Sequence, residues 1–184
     1  MALTESTMMP LGTTLPEFAL TDVVSGRMIE SEELRGQPLV VAFICAHCPY
    51  VKHINKGLAA FGIEYEDEPM NIIAISSNDA SSHSDDSPEG LREQAFTQGF
   101  LFPYLHDETQ EVAKAFNAAC TPEFYLFDSD LRLVYRGQFD SSRPANSIPV
   151  TGEDLRFAVD ALLAGQPISA EQKPGIGCNI KWKS

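Results

Sequence analysis

Cys45-Ala46-His47-Cys48, followed by Pro49, sets two of the chain's four cysteines three residues apart. A thiolate, not a thiol, attacks disulfides, so the pair has chemical meaning only where something stabilises a sulfur anion. The residues that follow supply it. Val51, Ile54, Leu58 and Phe61 recur at helical spacing, and proline suits a first turn, so a helix opens at Pro49 and ends near Gly62. Sulfurs at its start face unpaired amide hydrogens and the positive end of the helix dipole. We expect a dithiol couple, with Cys45 as nucleophile and Cys48, almost one turn away, as its resolving partner. His47 between them brings positive charge to the thiolate, and Lys52 adds another.

The same residue types admit metal binding. A zinc knuckle needs a second ligand pair about 12 to 20 residues on, whereas the next cysteines are Cys120 and Cys178. A centre assembled in space from Cys45, His47, Cys48 and Cys120 is the alternative; no resident metal or other cofactor is expected. His53, His83 and His106 stand in no cysteine- or acid-rich cluster and read as surface or satisfied core residues.

The elements that position the pair are legible in the apolar pattern. Residues 39–44 form a continuous β-branched and apolar run, the mark of a central strand buried on both faces, and it points at Cys45. Before it, residues 18–21 and 27–29 flank Ser25-Gly26 as a small hairpin. After it come a strand over 71–75, a polar loop over 76–86 closed by the Ser87-Pro88 cap, and a helix over 88–98. A helix over 109–116, a hairpin of 123–127 with 133–136, and a last helix over 153–164 ended by Gly165 complete the pattern. Strands alternating with helices predict an α/β chain with a central mixed sheet flanked by helices.

Composition bounds the rest. At 184 residues, 43% of them apolar, the chain can bury a core without a disulfide scaffold. One domain over 1–165, including the N-terminal extension and hairpin, and a C-terminal tail over 166–184 that docks on it are expected. The net charge of −13, from 26 acidic against 13 basic residues, repels nucleic acid and anionic membranes alike. The longest apolar run, residues 39–46, is less than half of the ~20 a membrane helix needs. Residues 1–12 hold Glu5 and no Lys or Arg, unlike a secretory signal. A cytoplasmic location is therefore expected, and reducing cytosol favours a chemical use for the cysteines.

Three stretches carry a resemblance: Phe43-Ile44-Cys45-Ala46-His47-Cys48-Pro49-Tyr50, Cys120-Thr121-Pro122-Glu123-Phe124-Tyr125, and Gly177-Cys178-Asn179-Ile180-Lys181-Trp182. They resemble the peroxiredoxin-like, thioredoxin-family proteins of the alkyl hydroperoxide reductase and thiol-specific antioxidant group. The resemblance implies a thioredoxin fold, a cis Pro122, and a Thr121-Pro122 loop packed against the cysteines, with Cys120 close by. It also exposes departures. Peroxidases of this group have a threonine where Cys45 stands and an arginine in the stretch that here reads Thr121-Pro122-Glu123. Thioredoxins place an acid in the strand before the cysteines, and residues 39–44 have none. Glu123 or His47 is then the substitute proton acceptor.

These readings converge on a thiol-disulfide oxidoreductase acting on a disulfide-containing protein or small molecule, recycled by an external thiol reductant. A thiol-dependent peroxidase is the alternative, and a redox sensor or metal chaperone without turnover is a third. In the tail, Ile180 and Trp182 should dock, and Gly175 and Gly177 should let Cys178 approach Cys120 as a second thiol pair.

Overall fold

The computed structural model describes residues 3–184. Its main sheet has seven strands, in the order β3 (Met28–Glu30), β2 (Ala19–Asp22), β6 (Tyr104–His106), β5 (Asn71–Ser76), β4 (Leu39–Phe43), β8 (Glu123–Phe127) and β9 (Leu133–Gly137). β4 runs parallel to β5 and antiparallel to β8, so the sheet is mixed. Every residue of β4 is buried, as its unbroken apolar run requires.

The pleat divides the core. Val40 and Ala42 face one side, with Ile44, Cys45 and Cys48, where α1 (Pro49–Glu64), α2 (Pro88–Gln98) and α4 (Glu153–Leu163) pack. Leu39, Val41 and Phe43 face the other, against α3 (Glu111–Ala115), Phe116 and the segment containing Met9, Leu15 and Phe18. Val51, Ile54, Leu58 and Phe61 all lie on the buried face of α1. Ser87 caps α2, its hydroxyl accepting from the Gly90 amide at 3.3 Å.

The tail contains a strand that its sequence pattern does not show. Residues 166–184 do not simply cross the surface: β10 (Ile176–Asn179) is the middle strand of a second sheet, between β1 (Leu3–Glu5) and β7 (Cys120–Thr121). Glycine spacing hid this strand, because Gly175 and Gly177 dilute any apolar alternation. Glycine is nevertheless required: a Cβ on Gly177 would sit 1.9 Å from the Thr121 carbonyl oxygen. Ile180 is buried as expected, while Trp182 remains 43% exposed, with Lys114 over its ring. β6 was also unforeseen, being only three residues long after Pro103. Among the described residues no helix is long and apolar enough to cross a membrane.

Candidate active site

β4 delivers the first cysteine. The Ile44 amide still donates to the Ile75 carbonyl, so the chain stays extended up to Cys45, and the turn that follows ends with Cys48 as the N-cap of α1. Opposite them, the Thr121-Pro122 peptide bond is cis. Thr121 touches both cysteines: its hydroxyl lies 3.4 Å from Cys45 Sγ and its carbonyl oxygen 3.4 Å from Cys48 Sγ. A third sulfur completes the row. Cys178, directly opposite Thr121 in the β10–β7 register, places its Sγ 2.6 Å from Cys48 Sγ.

The thiols differ sharply in acidity. Cys48 is brought down to about 5, chiefly by the hydrogen bond from the Cys45 thiol; burial opposes this, and the Cys178 thiol, the Val51 amide and Thr121 assist. Cys45 is pushed well up, by burial first, then by its bond to Cys48 and the charge of Asp86. Burial, and then Cys48, raise Cys178 to about 12. These directions favour Cys48, rather than the expected Cys45, as the activated sulfur. Cys48 holds the N-cap position of α1, with the Val51 amide among its donors, and Cys45 stands before the helix, fully buried.

Asp86 was not singled out in the sequence. It ends the short 3-10 turn Ser84–Asp86, is fully buried, and reaches back across about forty residues to the cysteine loop. Its Oδ1 accepts from the Ala46 and His47 amides at 2.8 and 3.1 Å, and its Oδ2 sits 2.5 Å from His47 Nδ1 and accepts from Asn78 at 2.9 Å. Burial alone would raise this carboxyl, but the bonds from His47 and Asn78 hold it below the ordinary range. His83 stacks on His47 with ring centroids 4.0 Å apart, so it is part of the site rather than an isolated surface histidine. His47 Nε2 is buried without a hydrogen-bond partner among the described residues.

The remaining candidates separate. Glu123 is buried, but on the face of β8 opposite Cys45 and Cys48: its Oε2 accepts from the Ala119 amide at 3.1 Å and lies 3.9 Å from Cys120 Sγ, and burial raises its carboxyl. It is not an acceptor facing the pair. Cys120 faces Glu123 and the Gly175 carbonyl, 3.8 Å away, and burial and the Glu123 charge make it a poor acid. Cys178 therefore meets Cys48, not Cys120. In the β10–β7 register Asn179, one residue on, is what opposes Cys120, and the alternation of a strand turns adjacent side chains to opposite faces. Lys52 is exposed beside a surface cavity lined by Ala46, His53 and Lys56, and is not among the main groups that set the acidity of Cys48. The donor atoms that converge within 4.8 Å are those of Cys45, His47 and Asp86; Cys48 and Cys120, two of the four ligands of the metal alternative, lie outside that group, and Asp86 is already occupied by amide donors.

Nothing among curated proteins matches the chain. An uncharacterized conserved protein from Geobacillus kaustophilus is 53% identical, with 100% of this chain and 97% of that one covered and a TM-score of 0.97. A hypothetical protein from Sinorhizobium meliloti 1021 is 44% identical over 98% of this chain and 99% of its own, at a TM-score of 0.95. A secreted Mycobacterium tuberculosis disulfide oxidoreductase shares the fold at 17% identity and a TM-score of 0.62, over 79% of this chain and 96% of its own. The AhpC/TSA family matches residues 11–136, which contain the cysteine pair, Asp86 and the Thr121-Pro122 loop. The chain belongs to the AhpC/TSA family, the peroxiredoxin-like branch of the thioredoxin-fold proteins.

Proposed function

We propose that the protein is a thiol-disulfide oxidoreductase whose working couple is Cys45 and Cys48. The observation that carries this reading is that both thiols, of opposite acidity, are held against Thr121 at the mouth of a helix. The Cys48 thiolate attacks a substrate disulfide, forming a mixed disulfide and releasing one substrate thiolate. Cys45 then attacks Cys48 Sγ, closes the Cys45–Cys48 disulfide and expels the second substrate thiolate. His47, anchored by Asp86 and with a ring nitrogen within 4.8 Å of Cys45 Sγ, is placed to take the Cys45 proton. An external thiol reductant restores the dithiol, and the proposed setting is the cytoplasm, whose thiol pool keeps such pairs reduced.

A peroxidase is the second reading, favoured by one observation: the low-pKa sulfur is at the N-cap, where a peroxide would meet the strongest nucleophile. Against it stands the environment. The carboxylate whose charge acts on Cys45 is Asp86, and an anion does nothing to polarise a peroxide. The deciding experiment compares reduction of a protein disulfide and of hydrogen peroxide by the same preparation with one supplied reductant. Turnover of the disulfide, lost in Cys48→Ser, supports the oxidoreductase; turnover of peroxide alone overturns it. Stoichiometric oxidation without turnover on either points to the sensor reading.

A further inference from the structure

We propose that Cys178 is a second disulfide partner of Cys48, resolving mixed disulfides on that sulfur in parallel with Cys45. This deepens the oxidoreductase reading and rests on it for the identity of the attacking sulfur. Three observations carry it. Cys178 Sγ is 2.6 Å from Cys48 Sγ, beyond the ~2.05 Å of a covalent disulfide and far inside ordinary sulfur–sulfur contact. The tail is built to hold it there: β10 is paired on both sides, with the Gly175 amide donating to Ser6 Oγ at 2.8 Å before it and the Lys181 amide to Asn78 Oδ1 at 2.8 Å after it. Gly177 lets this strand close onto Thr121, the residue that touches both other cysteines.

Access favours the same partner. Cys45 and Cys48 have no exposed surface, and Cys178 retains 4%. With oxidised glutathione as oxidant the steps balance. The Cys48 thiolate takes one glutathionyl group and releases glutathione thiolate. Cys178 Sγ then bonds to Cys48 Sγ as the bond to the second glutathione breaks, and the Cys178 proton goes to the departing sulfur. One glutathione disulfide is reduced to two thiols, and two protein thiols become one disulfide. Recycling of this bond follows the same rule as for Cys45–Cys48: an external thiolate attacking Cys178 displaces Cys48, the most acidic and best leaving thiol of the three.

The test treats the full-length Cys45→Ser chain with oxidised glutathione and maps its disulfides by mass spectrometry. The expected product is a Cys48–Cys178 disulfide with glutathione released, and the Cys45→Ser, Cys178→Ser double variant should stop at a Cys48–glutathione adduct. Cys120, turned toward Glu123, stays a thiol in both. Accumulation of the adduct in Cys45→Ser with Cys178 still open to alkylation overturns the proposal. Should circular dichroism show that variant misfolded, the wild-type map decides: a fraction of Cys48–Cys178 beside Cys45–Cys48 supports the proposal, and Cys45–Cys48 alone refutes it. The map needs no turnover. A Cys48–Cys178 bond in a protein that reduces no disulfide catalytically sinks the oxidoreductase reading alone, while full catalysis without that bond sinks only the role of Cys178.

Discussion

Replacing Cys45 by alanine should raise the Cys48 pKa by ~1–2 units, because it removes the largest of the stabilising hydrogen bonds, and one charge-assisted bond is worth about 1.5–3 kcal/mol. In the native dithiol, Cys48 falls from an ordinary value near 9 to about 5. That shift corresponds to about 5 kcal/mol of preference for the thiolate, shared among four donors in an enclosed site. Since the folded value lies below the unfolded one, reduced protein gains stability as pH rises from about 5 toward the ordinary thiol range. The contribution is complete above that range and is lost as pH falls through about 5. The assay follows thiolate absorbance and the alkylation rate of Cys48 against pH in the wild type, Cys45→Ala and Cys45→Ser. Serine keeps a donor and should recover part of the shift. A wild-type Cys48 that titrates in the ordinary thiol range, or a Cys45→Ala midpoint equal to wild type, refutes the assignment of Cys48 as the thiolate and of Cys45 as its main donor.

His47→Ala should slow the closing of the Cys45–Cys48 disulfide more than the first attack by Cys48, read in single-turnover mixing with a disulfide substrate; equal slowing of both steps would show the ring only shapes the loop. Asp86→Asn should cost about 1–3 kcal/mol at neutral pH, as the amide cannot accept from all four donors. Asp86 has a lowered folded pKa, so its stabilisation is present above the unfolded carboxylate value and is lost as pH falls through the folded one. Denaturant titrations should therefore find the variant's deficit shrinking in acid, and a deficit independent of pH would contradict the charge argument. Gly177→Ala drives a Cβ to 1.9 Å from the Thr121 carbonyl oxygen and should destabilise by ~1–3 kcal/mol through shifted backbone, with Cys178 becoming more reactive to alkylation. An unaltered melting temperature and unaltered Cys178 labelling would show that the two strands separate at no cost.

Local pattern was enough to determine the frame. The apolar run that became β4, the helical spacing after Pro49, and the Ser87-Pro88 cap each report on neighbours within a few residues, and each was legible in the order of the residues. So was the Cys45–Cys48 pair, since its position between strand and helix is set by those two elements. The tertiary structure decided which cysteine is acidic: the helix starts at Pro49 as the sequence predicts, but the Cys45 thiol, Cys178 and Thr121 converge on Cys48, while burial, the bond to Cys48 and the Asp86 charge hold Cys45 up. It also decided the company the pair keeps. Asp86, His83 and Cys178 come from segments with no periodic signal, about forty to 130 residues away, and meet the cysteines only because the sheet closes over them. Glu123 shows the converse: an acid beside the Thr121-Pro122 loop in sequence is carried by the alternation of β8 to the far side of the sheet, where it faces Cys120. Spacing along a chain specifies an element and its face; which distant side chain meets that face is a property of the packed sheet.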